Sequence, residues 1–393
     1  MKKASFSKTD VMNLNQSPGQ SPPTRKTRAP VKSKRARKPL RGVRRILIKM
    51  PNWLGDAVMS LPAVDYLRRL FPRAWIACLI KDGIADLLRN NDSIDVVITY
   101  EHGSGVSALA RKAKTIRELR PKSFDMALLL TNSFESALWM VLARIPLRVG
   151  YATDGRGFLL THPIRRKSPP GHQVHRYLDL CRALGQAGAP RPPTLRIPSR
   201  DKEWAEDFLR SIDFSTDDLL VGLCPGAAYG PAKRWLPGRF VEVSSRISQH
   251  YPARFAVFGG KGDVEPSAIV ADGIGQAAIN LCQKTTLREL AALLEKCALV
   301  ISNDSGATHL AAALGTHVIA VFGPTDPSQH APPENCTVMY KDVSCSPCYL
   351  RECPTDLRCM TSISAEEVYE KASEILFAQE TGGLRRKIAQ WTP

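Results

Sequence analysis

Residues 298–327, ALVISNDSGATHLAAALGTHVIAVFGPTDP, constrain the fold more than any other stretch of this chain. An apolar run, Leu299 to Ile301, breaks at Asn303-Asp304-Ser305-Gly306 and resumes as an apolar helical segment from Thr308 to Leu314. Gly315 ends that segment, and a second apolar run, Val318 to Phe322, stops at Gly323-Pro324. The pattern is strand, tight loop, helix, strand. Two buried parallel strands require such a crossover, which delivers backbone N–H groups and a positive helix end to the carboxyl edge of the first strand. An anion fits there. Asp304 and Ser305 serve either as part of that ligand site or as a helix N-cap, and the stretch by itself leaves both readings open.

The same alternation recurs along the chain. Arg45 to Met50, RILIKM, reads as a strand, followed by a helical pattern through Leu70 in which Pro62 predicts a kink. Strands then follow at 75–80, 96–99 and 124–130, with helices at 84–89, 106–119 and 134–143, the spacing of a parallel doubly wound sheet. This predicts a Rossmann-like domain over 44–189. The run Pro190-Arg191-Pro192-Pro193 marks a linker region, 190–217. A second Rossmann-like domain, 218–362, has strands at 219–224, 255–258 and 278–281, and helices at 239–249 and 287–297, the latter opened by the capping-box pattern Thr286-x-x-Glu289. Ser364-x-x-Glu367 opens a last helix within 363–393, which in folds of this kind often packs back on the first domain. The class is α/β, with two Rossmann-like domains facing across a cleft.

The formal charge of +18 suggests nucleic acid until it is located. Residues 1–45 hold fourteen Lys/Arg and one acid, so 14 − 1 gives +13 and leaves 18 − 13 = +5 for everything else. Residues 1–43 thus read as a disordered basic tail, whether merely solvated or drawn to anionic lipid or nucleic acid. The modest charge of the rest speaks against a nucleic-acid-binding protein. The tail has no apolar secretory core, and the most apolar longer window, Met126 to Leu147, is interrupted by Asn132, Glu135 and Arg144. Ten cysteines in so long a chain suggest reduced thiols and a cytoplasmic setting.

Three loops leave strand ends, after Met50, Cys224 and Ser302, and loops of this kind from two facing domains meet across a cleft. That geometry suits a two-substrate enzyme. In CPGAAYGPAKRW, 224–235, small residues allow close backbone approach to a ligand, and Lys233 and Arg234 reach phosphate oxygens. There is no Walker spacing and no G-x-G-x-x-G after the first strand, which disfavours P-loop and hydride-transfer readings. No Asp-x-Asp triplet occurs, which argues against a metal-dependent GT-A transferase.

Taken together, NWLGDAVMSLPA (52–63), CPGAAYGPAKRW (224–235), SNDSGATHLAAALG (302–315) and FGPTDP (322–327) resemble the ADP-heptose:lipopolysaccharide heptosyltransferases, and among them the heptosyltransferase II branch. The resemblance runs over about 44–378. It implies a GT-B fold, with the donor nucleotide-sugar mainly on the C-terminal domain and the acceptor mainly on the N-terminal one. The implied reaction is inverting transfer of L-glycero-D-manno-heptose from ADP-heptose to the heptosyl-Kdo-lipid A inner core. Asp56 falls on the family's general base, with an N-cap after Gly55 as its structural alternative; at a helix N-terminus it is expected to stay ionised, a weak base that acts late. Lys233 falls on the phosphate-binding lysine that stabilises departing ADP.

For the rest of the donor site the resemblance assigns Gly226, Ala227 and Ala228 to backbone contacts, Asp304 to heptose hydroxyls, and Ser305 and Gly306 to phosphate. His309 goes either to the diphosphate or to the core, and Gly259, Gly260 and Asp263 to adenosine. Acceptor candidates are Trp53, Arg156 and His172, each with ordinary surface as the alternative. His172 and His175 lie three apart but lack further ligands nearby in sequence. Cys345, Cys348, Cys353 and Cys359 form either a structural zinc site or a set of packed thiols. No cofactor is required, and a divalent cation such as Mg remains compatible. Expected partners are ADP-heptose, the lipid A-linked acceptor and, peripherally, the cytoplasmic face of the inner membrane, without nucleic acid. The alternatives are a heptosyltransferase with another acceptor and a noncatalytic nucleotide-sugar binder; the latter would be expected to lose Asp56 or Lys233.

Overall fold

Two parallel sheets carry the fold, each of six strands among the residues that the computed structural model describes: 42–101, 106–166, 171–215 and 218–389. Nearly all of the expected basic tail lies outside those residues. The first sheet comprises β1 (Arg45–Lys49), β2 (Trp75–Lys81), β3 (Val96–Tyr100), β4 (Met126–Leu129), β5 (Leu147–Tyr151) and β6 (His162–Ile164), in the order β3-β2-β1-β4-β5-β6. The second comprises β7 (Leu219–Cys224), β8 (Ala253–Val257), β9 (Ala278–Asn280), β10 (Leu299–Asn303), β11 (Val318–Phe322) and β12 (Cys336–Tyr340), in the order β12-β11-β10-β7-β8-β9. Each is the doubly wound order, and each has one point where the strand sequence reverses, between β1 and β4 and between β7 and β10. The central strands hold near-continuous apolar runs because helices cover both faces; Ile46, Leu47 and Ile48 have no exposed surface at all.

Local chemistry explains the element ends. The helical pattern after β1 is two helices, α1 (Leu54–Met59) and α2 (Leu61–Leu70), broken at Ser60. Pro62 sits in the first turn of α2, where a missing N–H leaves no bond unmade. α3 (Val106–Leu119), α4 (Phe134–Leu142) and α5 (Gln173–Arg182) complete the first half. The segment expected as a helix at 84–89 is a 3-10 turn, Asp82–Leu87.

Between and beyond the domains the structure adds one helix and corrects the placement of another. The linker region 190–217 contains a helix, α6 (Ser199–Ser211), which packs on α9 (Leu287–Lys296) of the second half. α9 itself opens with the capping box read from the sequence, Thr286 and Glu289 each accepting the other's backbone N–H. The last helix, α13 (Ala365–Ala389), packs not on the first domain but on the second, against α7 (Pro237–His250) and strands β10 and β11. Its apolar stripe of Val368, Ala372 and Leu376 enters the core that holds Phe240, Val243 and Ile247 of α7. Of the remaining helices, α8 (Val264–Ile274) follows β8, α10 (Gly306–Ala313) follows β10, α11 (Pro327–His330) follows β11, and α12 (Arg358–Thr361) precedes α13.

Candidate active site

The first turns of α1 and α10 meet face to face, which places the loops after β1 and β10 on opposite walls of one cavity. The approach depends on glycine at both contacts. A Cβ on Gly55 would lie 2.6 Å from the His309 ring, and one on Gly306 would lie 2.9 Å from Leu54 Cβ. The cavity has a volume of about 590 Å³, within the range of small-molecule sites. Trp53 and Asp56 line it from the first domain; Ala228, Lys233, Asp304 and His309 line it from the second.

Asp56 is the third residue of α1, whose N-cap position is Trp53, so the cap reading fails. Its Oδ1 accepts a hydrogen bond of 2.9 Å from the Tyr177 hydroxyl of α5. Burial opposes the expected pull of the helix N-terminus on Asp56. Burial between the domains raises its pKa above the usual value, against the opposing pull of Tyr177 and Lys233. A carboxylate so perturbed is a better proton acceptor near neutrality.

On the opposite wall Lys233 pairs with Asp304, and Asp304 Oδ2 also accepts from the Thr325 hydroxyl at 2.5 Å. Burial works to raise the Asp304 pKa, but Lys233 and Thr325 outweigh it and hold the carboxyl below its ordinary value. Asp304 is therefore no helix cap. Ser305 holds the N-cap position of α10 without a side-chain capping bond and lines the cavity with Gly306. Between the loops, the buried Asn303 amide donates to the Pro225 carbonyl at 2.7 Å and its oxygen accepts the Trp235 N–H at 2.9 Å. This ties the loop after β7 to the end of β10. The fully buried His309 ring has its pKa lowered to about 4 by desolvation, so it meets the cavity as a neutral imidazole.

The residues assigned to adenosine, Gly259, Gly260 and Asp263, line the cavity together with Gly226 and Ala227. Asp263 is itself a clip between loops: its carboxylate accepts the N–H groups of Ala227 (3.2 Å) and Gly260 (3.0 Å) and pairs with Arg234 at 3.2 Å. The Ala227 N–H expected to serve the donor is thus already engaged.

Two of the three acceptor candidates are corrected. Arg156 has no exposed surface and donates to the Tyr151 carbonyl and the Ser136 hydroxyl at 2.9 and 3.0 Å, so it anchors the turn after β5 from inside the first domain. His172 caps α5 by accepting the Val174 N–H, and its other ring nitrogen bonds the Ala331 carbonyl of the second domain at 2.7 Å. It joins the two halves and lies outside the cavity lining. Only Trp53, half exposed, stands at the cavity wall. The four cysteines of 345–359 are not all packed thiols. Among the described residues no three metal-ligating side chains converge; Cys345 and Cys348 are exposed, while Cys359 is buried.

Several site residues escaped the sequence reading. Thr325 stands in the motif FGPTDP and carried a signal; Tyr177 sits in an ordinary amphipathic helix and carried none. Lys49, at the end of β1 and 3% exposed, donates to the Tyr100 hydroxyl (2.8 Å), the Met50 carbonyl (3.1 Å) and Asn52 Oδ1 (3.3 Å). Tyr100 in turn donates to Asn52 at 2.6 Å, so the loop that launches α1 is fastened from below. Burial pushes the Lys49 pKa down to about 7, with Glu135 opposing.

The family described as glycosyltransferase family 9 (heptosyltransferase) matches residues 112–358. The chain belongs to glycosyltransferase family 9. Among curated relatives of this glycosyltransferase, the lipooligosaccharide heptosyltransferase 2 of Haemophilus ducreyi is 31% identical over 301 residues, which span 74% of this chain and 86% of the relative. Among solved structures, the E. coli ADP-heptose lipopolysaccharide heptosyltransferase II superposes with a TM-score of 0.72 at 26% identity, covering 86% of this chain and 99% of that one. A family 9 glycosyl transferase from Veillonella parvula superposes with a TM-score of 0.76 at 22% identity, covering 85% and 97%, and shows the same fold. The family 9 chain thus has the GT-B architecture that its motifs implied. No helix among the described residues is long and apolar enough to cross a membrane.

Proposed function

We propose that this glycosyltransferase moves L-glycero-D-manno-heptose from ADP-heptose onto the heptosyl-Kdo-lipid A inner core, with inversion at the anomeric carbon. The observation that carries this reading is the convergence in one cavity of a half-buried carboxylate with a raised pKa, from one domain, and a lysine-aspartate pair at a helix start, from the other. In the proposed step the acceptor hydroxyl oxygen bonds to the anomeric carbon as its proton passes to Asp56. The bond from that carbon to the ADP oxygen breaks on the opposite face, and ADP leaves with the electron pair. Lys233 and the N–H groups opening α10 meet the charge that develops on the leaving diphosphate. Asp304 uses Oδ2 for Lys233 and Thr325, leaving Oδ1 for a heptose hydroxyl. Adenosine lies against Gly259 and Gly260, and Trp53 flanks the acceptor sugar.

No step is routed through a metal ion, so transfer is expected to persist in excess EDTA; dependence on added magnesium would revise that. A lipid-linked acceptor implies work at the cytoplasmic face of the inner membrane.

The test is transfer from ADP-heptose to Kdo-lipid A bearing one heptose, by the intact protein, Asp56→Ala and Lys233→Ala. Loss of the base lowers kcat by about 10²–10⁴-fold with ADP binding retained. Loss of the lysine lowers it by about 10²–10³-fold and weakens ADP as well. An intact protein that binds ADP-heptose but transfers nothing to this acceptor would favour a family member with another acceptor. A folded protein that binds no ADP-heptose would sink the reading.

A further inference from the structure

Five of the large hydrophobic side chains that stand exposed belong to the first domain, and two of them, Phe134 and Phe158, meet each other. Phe158, 67% exposed, lies in the turn after β5; Phe134, 39% exposed, opens α4 after β4. Their rings touch, with centroids 6.0 Å apart, yet neither is covered. Leu109, 69% exposed, lies one turn before Lys112 on α3, and Lys112 pairs with Glu135, the residue after Phe134. Two rings that find each other but not the core mark an apolar surface with another use.

Cations outnumber acids around this patch. Glu135 is paired with Lys112, while Asp154 accepts the Phe134 N–H at 2.7 Å and keeps its charge. Arg165 and Arg166 are exposed just past β6, and the Arg166 guanidinium lies 5.5 Å from the Tyr151 ring at the end of β5. Apolar rings beside exposed arginines match the interface of an anionic bilayer, where the rings enter the acyl boundary and the cations meet headgroups.

Position gives the patch its meaning. Phe134, Phe158 and Arg165 all follow carboxyl ends of the first sheet, the edge that also carries Trp53 and Asp56. In that sheet β4 and β5 are the first and second neighbours of β1, so the strand that leads to Phe158 is displaced from the strand that leads to Asp56 by two spacings, roughly 10 Å. We infer that Phe134 and Phe158, with Leu109, Arg165 and Arg166, form the surface by which this enzyme docks on an anionic phospholipid bilayer, turning the acceptor side of its cleft toward the lipid. The inference deepens the reading of a lipid-linked acceptor and rests on it.

The experiment uses the full chain with vesicles of phosphatidylcholine alone or with phosphatidylglycerol, read by co-sedimentation. Phe134→Ser/Phe158→Ser is expected to lower partition onto the mixed vesicles about tenfold, and Phe158→Ser alone, at the more exposed position, to lower it by a smaller factor. Arg165→Gln/Arg166→Gln is expected to remove part of the preference for phosphatidylglycerol. Transfer to a deacylated, water-soluble acceptor stays at the intact level in all variants, while transfer to vesicle-embedded acceptor falls with partition. Vesicle binding unchanged in the aromatic variants, or lost only on deletion of residues 1–41, overturns the surface. So does a change from dimer to monomer with no change in vesicle binding, which would make the patch a contact between copies. Failure of the intact protein on the deacylated acceptor would instead refute the acceptor reading, and the vesicle arm reports separately.

Discussion

Tyr177→Phe isolates what the environment of Asp56 does. The ring packing is kept and only the hydroxyl that donates to Asp56 at 2.9 Å is removed. In the intact site burial raises the pKa of this carboxyl and the Tyr177 hydroxyl is the foremost group opposing it. Without the hydroxyl the desolvation persists while the ionised form loses a donor, so the pKa moves further up. A hydrogen bond to a charged group contributes about 1.5–3 kcal/mol, and about 1.4 kcal/mol is a factor of ten, so kcat/KM on the acid side of the profile falls by roughly ten- to a hundredfold. Water entering from the cavity favours the lower figure. In the proposed reaction transfer needs Asp56 ionised, so the acid limb of kcat/KM shifts to higher pH. Above that limb a more basic carboxylate keeps or slightly raises the rate. The assay is initial-rate ADP release across pH 5 to 9, with thermal stability and ADP binding measured on the same samples. An acid limb that stays in place, or moves to lower pH, would refute the claim that Tyr177 holds down the pKa of the base.

Two further substitutions probe the scaffold beneath the site. Gly55→Ala puts a Cβ 2.6 Å from the buried His309 ring; overpacking of about 1–3 kcal/mol borne by the α1–α10 contact lowers kcat/KM roughly 5- to 150-fold. ADP affinity is retained and His309→Ala in the same chain restores part of the loss; a variant with unchanged kcat/KM would show that the close approach is not needed. Lys49→Met tests the buried amine under the same loop. Its pKa falls from 10.5 to about 7 in the folded chain, so between those values the unfolded chain binds a proton that the folded one lacks and stability rises with pH. Urea unfolding should show that rise in the intact protein and lose it in Lys49→Met; parallel pH profiles would refute the assignment.

What the sequence disclosed was local in the chain. The strands from β7 and β11 match their apolar runs residue for residue, because a strand covered on both faces has no freedom to place polar residues. The strands that escaped, β5, β6 and β12, are the ones whose runs are shortened or diluted by Arg148, Pro163 or an edge position. Asp56, Lys233 and Asp304 were legible because each follows a strand end in a short motif. Their states were not. Tyr177 lies 121 residues from Asp56, and Thr325 lies 21 from Asp304; only folding brings each hydroxyl to its carboxylate. Arg156 and His172 failed for the converse reason: a guanidinium and an imidazole near the cleft in sequence are consumed by carbonyls that the sequence could not place beside them.

The same separation explains why the two carboxylates of the cavity diverge. Asp56 sits in the first turn of α1, after β1, and Asp304 immediately precedes the N-cap of α10, after β10; both strands flank a switch point, and burial works to raise both carboxyls. Two acids at helix starts would behave alike if the helix field decided the matter. The partner decides it instead. Asp304 has a lysine and a hydroxyl on one oxygen and is held ionised, fit to accept hydrogen bonds from a sugar; Asp56 has a phenol and only a distant lysine, and burial leaves it poised to take a proton. Exchanging their chemistry should therefore require moving Lys233, not the carboxylates. A chain carrying Lys233→Met is expected to raise the Asp304 pKa toward that of an unpaired buried acid, measurable by carboxyl NMR titration, with Asp56 also moving up by the smaller loss of its longer-range attraction. If Asp304 keeps its low pKa without Lys233, the helix start alone is sufficient, and the division of labour between the two acids needs another cause.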